Sequence, residues 1–172
     1  MSGTKPLWLI IHGHFYQPPR EDPWAGSIDH QESARPWHDW NERINAECYA
    51  ANTDARTLDA GGRITDIVNN YASISFNFGP TLLSWLERED PAAYAAILRA
   101  DAVSRTNNDG HGNAIAQVYN HMILPLANTR DKLTQIRWGL ADFKARFGRD
   151  AEGLWLAETA INGDNVEALI SE

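Results

Sequence analysis

The sequence predicts an α/β fold with parallel strands. Two short apolar runs, residues 7–11 and 153–157, have the composition of strands buried on both faces. A third strand is signalled by Ile74, Phe76 and Phe78 alternating with Ser73, Ser75 and Asn77. Helical patterns lie between these segments, and strands alternating with helices build parallel sheets.

In chain order, the first run, Leu7-Trp8-Leu9-Ile10-Ile11, ends in His12-Gly13-His14-Phe15-Tyr16-Gln17-Pro18-Pro19, where two prolines stop regular structure. Residues 20–38 mix Pro, Trp and charge without a period and read as a long loop, which Trp24, Trp37 and Trp40 argue is ordered. Residues 39–52 are weakly helical, and residues 54–62 have no clean reading. Ile64, Ile67, Val68 and Tyr71 follow helical spacing, which predicts a helix over residues 63–71. After the alternating strand, Gly79-Pro80 opens a helix carrying Leu82, Leu83, Trp85 and Leu86. Asp90-Pro91 then caps an Ala-rich helix to about Ala102. Residues 105–113 read as a loop, and residues 114–126 are apolar but broken by Pro125. Thr129 is the expected cap of the longest helix, whose stripe is Leu133, Ile136, Leu140, Phe143 and Phe147. Gly148, beside Arg146 and Arg149, suits its C-terminus. Residues 153–157 form the last strand, and residues 162–172 start a final helix.

The chain has 172 residues, 15 basic and 23 acidic, for a net charge of −8. That length suits one domain with its own core, although a closed (β/α)8 barrel takes about 250 residues. The acidic balance argues against nucleic acid and anionic membranes as partners, since both call for basic patches. Cys48 is the single cysteine, so an internal disulfide and multi-cysteine zinc sites are excluded. The first apolar run is shorter than a secretory core of about 7–15 residues and far short of a membrane span, so the expected location is cytoplasmic. Seven Trp, five Tyr and five Phe supply flat apolar faces with polar edges, suited to cores and to sugar clefts alike. Phosphate-binding loops and the serine-hydrolase elbow have no match.

In a parallel sheet, chemistry belongs just past the C-terminal ends of the strands. His12 and His14 lie there after the first strand, and Glu158 lies there after the last. His12 and His14 fall on one side of an extended chain, where they can bind a metal, bond a sugar hydroxyl or serve backbone structure. Glu158 is either an exposed loop opener or a nucleophile or base, with Trp155 as an apolar wall nearby. His111, within Asp109-Gly110-His111-Gly112-Asn113, and His121, before an apolar run, are further candidates.

Three stretches together resemble glycoside hydrolase family 57, the α-amylase/α-mannosidase-like and 4-α-glucanotransferase-like enzymes. His12-Gly13-His14-Phe15-Tyr16-Gln17-Pro18 resembles its HxHQP motif, with Phe15 and Tyr16 intervening, or with Tyr16 standing where the motif has His. Tyr119-Asn120-His121-Met122-Ile123-Leu124-Pro125-Leu126 resembles a second family stretch. Trp155-Leu156-Ala157-Glu158 matches the WLxE form that carries the family's nucleophile. The resemblance implies the N-terminal portion of an incomplete (β/α)7 barrel. It also implies a retaining mechanism on α-glucan-type substrates, with Glu158 as nucleophile. His12, His14, Gln17, His111, His121 and Trp155 are then the substrate contacts, and no cofactor or metal is implied. The family's acid/base is an Asp beyond a later strand, for which residues 1–172 hold no match. The expectation is therefore a truncated catalytic domain, incomplete for catalysis by itself, that associates with a second copy to cover its open edge. Two other readings stay open. One is a metal-dependent deacetylase or class II mannosidase-like hydrolase on the same barrel. The other is a non-catalytic sugar-binding or assembly module.

Overall fold

The computed structural model describes residue 7 and residues 9–172. Residues 1–6 and 8 lie outside the described residues. The leader reading rests largely on them, and the first-strand reading rests on them in part. The elements are β1 (His12–Phe15), α1 (Trp40–Ile44), β2 (Ala55–Leu58), β3 (Ile64–Val68), β4 (Ser75–Phe78), α2 (Pro80–Glu89), α3 (Pro91–Asn107), β5 (Ala116–Gln117), α4 (Thr129–Phe147), β6 (Leu154–Trp155) and α5 (Gly163–Ile170). β1 pairs in parallel with β4, and β5 with β6. A parallel bridge from Phe76 to Ala114 joins the two pairs, giving the order β1-β4-β5-β6. The α/β architecture is therefore present over four parallel strands. Among the described residues these strands form an open array with β1 and β6 at its edges, and not a closed barrel.

Strand register sorts the side chains onto two faces. Phe15 pairs with Phe78 and Gly13 with Phe76, and these positions face the helices together with Ala114 and Ala116. On that face Leu82, Leu83 and Leu86 of α2, Ile97 of α3 and Phe143 of α4 complete a core with Tyr49 and Tyr71. Each fully buried Leu or Phe there contributes about 1.5–3 kcal/mol. A smaller cluster of Val118, Leu124, Ile136, Ala157 and Ala168 seats α4 and α5 on the ends of β5 and β6. The predicted α4 stripe thus faces both clusters. On the opposite face of the sheet, His12 pairs with Ser75, His14 with Asn77 and Gln117 with Trp155. That face is polar and aromatic.

Local chemistry explains most boundaries. Pro80 and Pro91 open α2 and α3, and the Asp90 side chain accepts from the Ala93 N–H at 3.0 Å. Gly148 ends α4 in the left-handed region at φ 68°. Four expectations are corrected. The first strand is His12–Phe15 rather than residues 7–11, because its partner β4 starts level with His12. Only Ile11 reaches the ladder, accepting from the Ser75 N–H at 3.0 Å, and Leu7, Leu9 and Ile10 are exposed. Residues 63–71 are not a helix, because Ile64–Val68 pairs antiparallel with Ala55–Leu58. Asp59 nucleates that hairpin, its Oδ1 accepting from the N–H groups of Gly61 and Arg63. Asn128 rather than Thr129 caps α4, since its extended backbone lets Oδ1 accept from the Asp131 N–H at 2.9 Å. Finally, α3 runs five residues past Ala102, to Asn107. The loop from residue 20 to 38 is ordered by contacts such as Trp40 Nε1–H donating to Ser33 Oγ at 3.0 Å, whereas Trp24 is almost fully exposed.

Candidate active site

Four strands meet at one place. β1 carries His12 and His14 within the strand, not past its end as expected, and Tyr16 beyond it; β4 carries Asn77 with Gly79 beyond it, β5 carries Gln117 with His121 beyond it, and β6 carries Trp155 with Glu158 beyond it. The Trp155 ring lies against both histidines of β1, with centroids 4.9 Å from His12 and 4.9 Å from His14. The two stacks are near parallel, at 12° and 18°. Tyr16 covers His121 at 4.0 Å, and His121 lies 5.1 Å from His14. Five rings therefore line one wall.

The ring nitrogens are held from behind. Ser75 Oγ–H donates to His12 Nδ1 at 2.9 Å, and His12 Nε2–H donates to Asn77 Oδ1 at 3.0 Å. Asn77 Nδ2 donates to His14 Nδ1 at 3.0 Å and to Gln117 Oε1 at 2.6 Å. His14 and His121 meet Nε2 to Nε2 at 3.1 Å, the length of one N–H···N bond. Asn77 has no exposed surface. Among the described residues, the buried Nε2 of Gln117 and Nε1 of Trp155 have no hydrogen-bond partner. Gly79 leaves room for this packing: a Cβ there would stand 2.9 Å from Gln117 Nε2 and 2.9 Å from Tyr16 Cδ2.

Desolvation by the surrounding groups lowers the His14 pKa below that of an ordinary imidazole. The Asn77 hydrogen bond and the Glu158 charge pull upward, and His12 pushes down. Desolvation lowers His121 too, and His14 pushes it the same way while the Glu158 charge raises it. Both rings are thus neutral at neutral pH. The charge of the Glu158 carboxylate reaches both rings. Glu158 is exposed, and it sits in left-handed backbone at φ 55°, ψ 21°. Thr159 and His121 share that region at φ 54° each. Non-glycine residues there carry about 1–3 kcal/mol of strain, a feature of functional sites.

No family model matches the chain, and no curated protein matches its sequence. Solved structures do match in three dimensions. An exo-type maltose-forming amylase from Pyrococcus sp. ST04 superposes on 93% of this chain at TM-score 0.62 and 17% identity. A 4-α-glucanotransferase from Thermococcus litoralis superposes on 94% at TM-score 0.57 and 20% identity. The fold is glycoside hydrolase family 57-like. The chain spans 27% and 21% of the lengths of those two proteins.

Within this family 57-like frame, the structure brings together five of the seven sequence-predicted site residues: His12, His14, His121, Trp155 and Glu158. It sets two apart. His111 lies before β5, at the opposite end of the strands, with its Nδ1 donating to Glu152 at 2.7 Å. Gln17 is buried behind the wall, its Nε2 donating to Tyr49 Oη at 2.9 Å and its Oε1 accepting from Arg20 at 2.8 Å. Asn77 and Gln117 were missed as site residues, although the alternation of residues 73–78 puts Asn77 opposite the Phe face. Among the described residues, the one close group of three metal-type ligands is His38, Asp39 and Glu42. It is a helix cap, with Asp39 Oδ1 accepting from the Asn41 and Glu42 N–H groups and Oδ2 from His38 Nδ1. No described helix is long and apolar enough to cross a membrane.

Proposed function

We propose that this chain is the N-terminal part of the catalytic domain of a retaining glycosidase or glucanotransferase acting on α-glucans. Glu158 is its nucleophile. The observation that carries the reading is an exposed, backbone-strained carboxylate just past β6, close enough for its charge to act on His14 and His121, beside stacked imidazole, phenol and indole rings on parallel strands. The fold likeness to two glucan-active enzymes supports the same reading. Flat rings suit the apolar faces of a sugar, and the His14–His121 pair offers hydrogen-bonding nitrogens to its hydroxyls. In a retaining reaction the Glu158 carboxylate attacks the anomeric carbon, forming an ester while the leaving group departs. A second carboxylate, about 5–5.5 Å from the first, protonates that leaving group and then activates water. That acid is expected outside residues 1–172.

A substrate whose leaving group needs no proton isolates the step assigned to Glu158. With 5-fluoro-α-glucosyl fluoride, the Glu158 oxygen–C1 bond forms, the C1–F bond breaks and fluoride leaves. Intact mass followed by peptide mapping should place one fluoroglucosyl group on the peptide containing Glu158, and Glu158→Gln should abolish it. A label on another carboxylate, or no label in a protein that turns over aryl α-glucosides, overturns the assignment.

A further inference from the structure

We propose that Asn77 is a positioning residue whose amide sets His12 and His14 to the same tautomer, so that His14 presents an Nε2–H into the cleft. This inference rests on the reading of His14 as a sugar contact. It starts from the short contact to Gln117. Asn77 Nδ2 lies 2.6 Å from Gln117 Oε1, with the Asn77 NH2 on that side. Its second hydrogen faces His14 Nδ1 at 3.0 Å, whereas Oδ1 stands farther from that nitrogen, at 3.3 Å. His14 Nδ1 therefore accepts, and a neutral ring that accepts at Nδ1 carries its proton at Nε2. On the other side Asn77 Oδ1 accepts from His12 Nε2, 3.0 Å away, and His12 Nδ1 takes the Ser75 hydroxyl proton at 2.9 Å. One amide thus dictates both rings.

The consequence reaches across the cleft. His14 Nε2–H donates to His121 Nε2 at 3.1 Å, which leaves the His121 proton on Nδ1. A substrate hydroxyl that displaced His121 would meet a donor on His14 and an acceptor on His121. That pair matches a hydroxyl, which donates once and accepts once. Asn77 is completely buried and cannot touch the sugar, so it acts through the rings.

Ring-nitrogen spectra test this directly. Long-range proton–nitrogen correlations above neutral pH should show wild-type His12 and His14 both protonated at Nε2. Asn77→Asp replaces the donor with a second acceptor. His14 should then carry its proton at Nδ1 and titrate at higher pH, while His12 keeps Nε2–H. Gln117 can turn its amide to serve the new carboxylate, because its buried Nε2 has no other partner. A merely structural Asn77 would leave the His14 tautomer where it was. Wild-type His14 protonated at Nδ1, or a His14 signature unmoved in Asn77→Asp, overturns the proposal. Should the variant not fold, the wild-type spectrum alone decides. Maltotetraose titration is read separately and should weaken by about tenfold or less in the variant. Wild-type protein that ignores maltotetraose overturns the functional reading, while the tautomers, read without sugar, still stand or fall on their own.

Discussion

Just before β5 and β6, Arg149 grips Asp101 with two hydrogen bonds, from Nε at 2.9 Å and from Nη2 at 2.8 Å. Arg149 also donates to the Ala114 carbonyl, and Asp101 accepts from the Ala114 N–H. Both side chains are buried. At and beyond the same two strands, imidazoles meet nitrogen to nitrogen, two buried donors lack partners among the described residues, and Glu158 and Thr159 hold left-handed backbone. The first end is satisfied around its buried ion pair and has one left-handed non-glycine residue, Asp109 at φ 52°, whereas the second gathers three, His121, Glu158 and Thr159. In parallel (β/α) barrels the N-terminal ends serve stability and the C-terminal ends serve chemistry. Strain of about 1–3 kcal/mol per residue persists only where surrounding structure over-determines it, and the clamp on α3, β5 and β6 is such a structure.

The sharpest way to break this comparison is to open the clamp. Asp101→Ala leaves a buried guanidinium without its carboxylate and should cost about 3–5 kcal/mol in urea unfolding. Glu158→Gln, at the strained end, should stay within about 0.5 kcal/mol of wild type, because the side chain is exposed. Similar losses for the two variants would erase the division between the ends.

A smaller effect is expected where the strained end is packed most tightly. Gly79 has an ordinary backbone, φ −66°, so an alanine there meets a problem of space alone. Its Cβ would press on Gln117 and Tyr16, 2.9 Å from each. Gly79→Ala should lose about 1–3 kcal/mol of stability and move the His14 ring signals, since Gln117 supports Asn77. Stability lost with unchanged His14 signals would mean that Gln117 and Asn77 act independently.

The clamp and the cleft were unequally legible in the sequence. Pro80, Asp90-Pro91 and Gly148 announce helix ends by local chemistry, and they were read correctly. Glu158 and His14 were legible as residues following strand patterns, and His121 as a histidine before an apolar run. Asn77 was hidden because a polar residue in an alternating strand ordinarily faces water, whereas here the second face of the sheet is also covered. Asp101 and Arg149 lie 48 residues apart, and no local pattern links them. The hairpin of β2 and β3 was misread because Ile64, Ile67 and Val68 happen to fall at helical spacing. Gly61-Gly62 before a β-branched run was the better signal. Of that set only Tyr71 is buried; the other three are exposed on a protruding ribbon. Helical spacing carries information only where the apolar residues reach a core.

Thr159 isolates the strain itself. A β-branched residue at φ 54° is an outlier that glycine would adopt freely. Relief of strain should exceed the entropic cost of the glycine, so Thr159→Gly should gain about 1 kcal/mol in urea unfolding. A loss instead would show that this backbone is relaxed and that the two ends do not differ in strain.

The smallest effect is expected at His111, where sequence and structure part most plainly. Its motif-like setting, Asp109-Gly110-His111-Gly112-Asn113, suggested the site, yet it sits on the clamp side of the strands, exposed beside Glu152. Removing the ring leaves Glu152 with Arg149 Nη1 4.0 Å away. Exposed pairs of this kind contribute about 0–1 kcal/mol. His111→Ala should therefore change unfolding by about 0.5 kcal/mol or less and leave maltotetraose affinity as it was. A tenfold drop in affinity would extend the sugar cleft around to the stabilising end, and the division between the two ends would have to be redrawn.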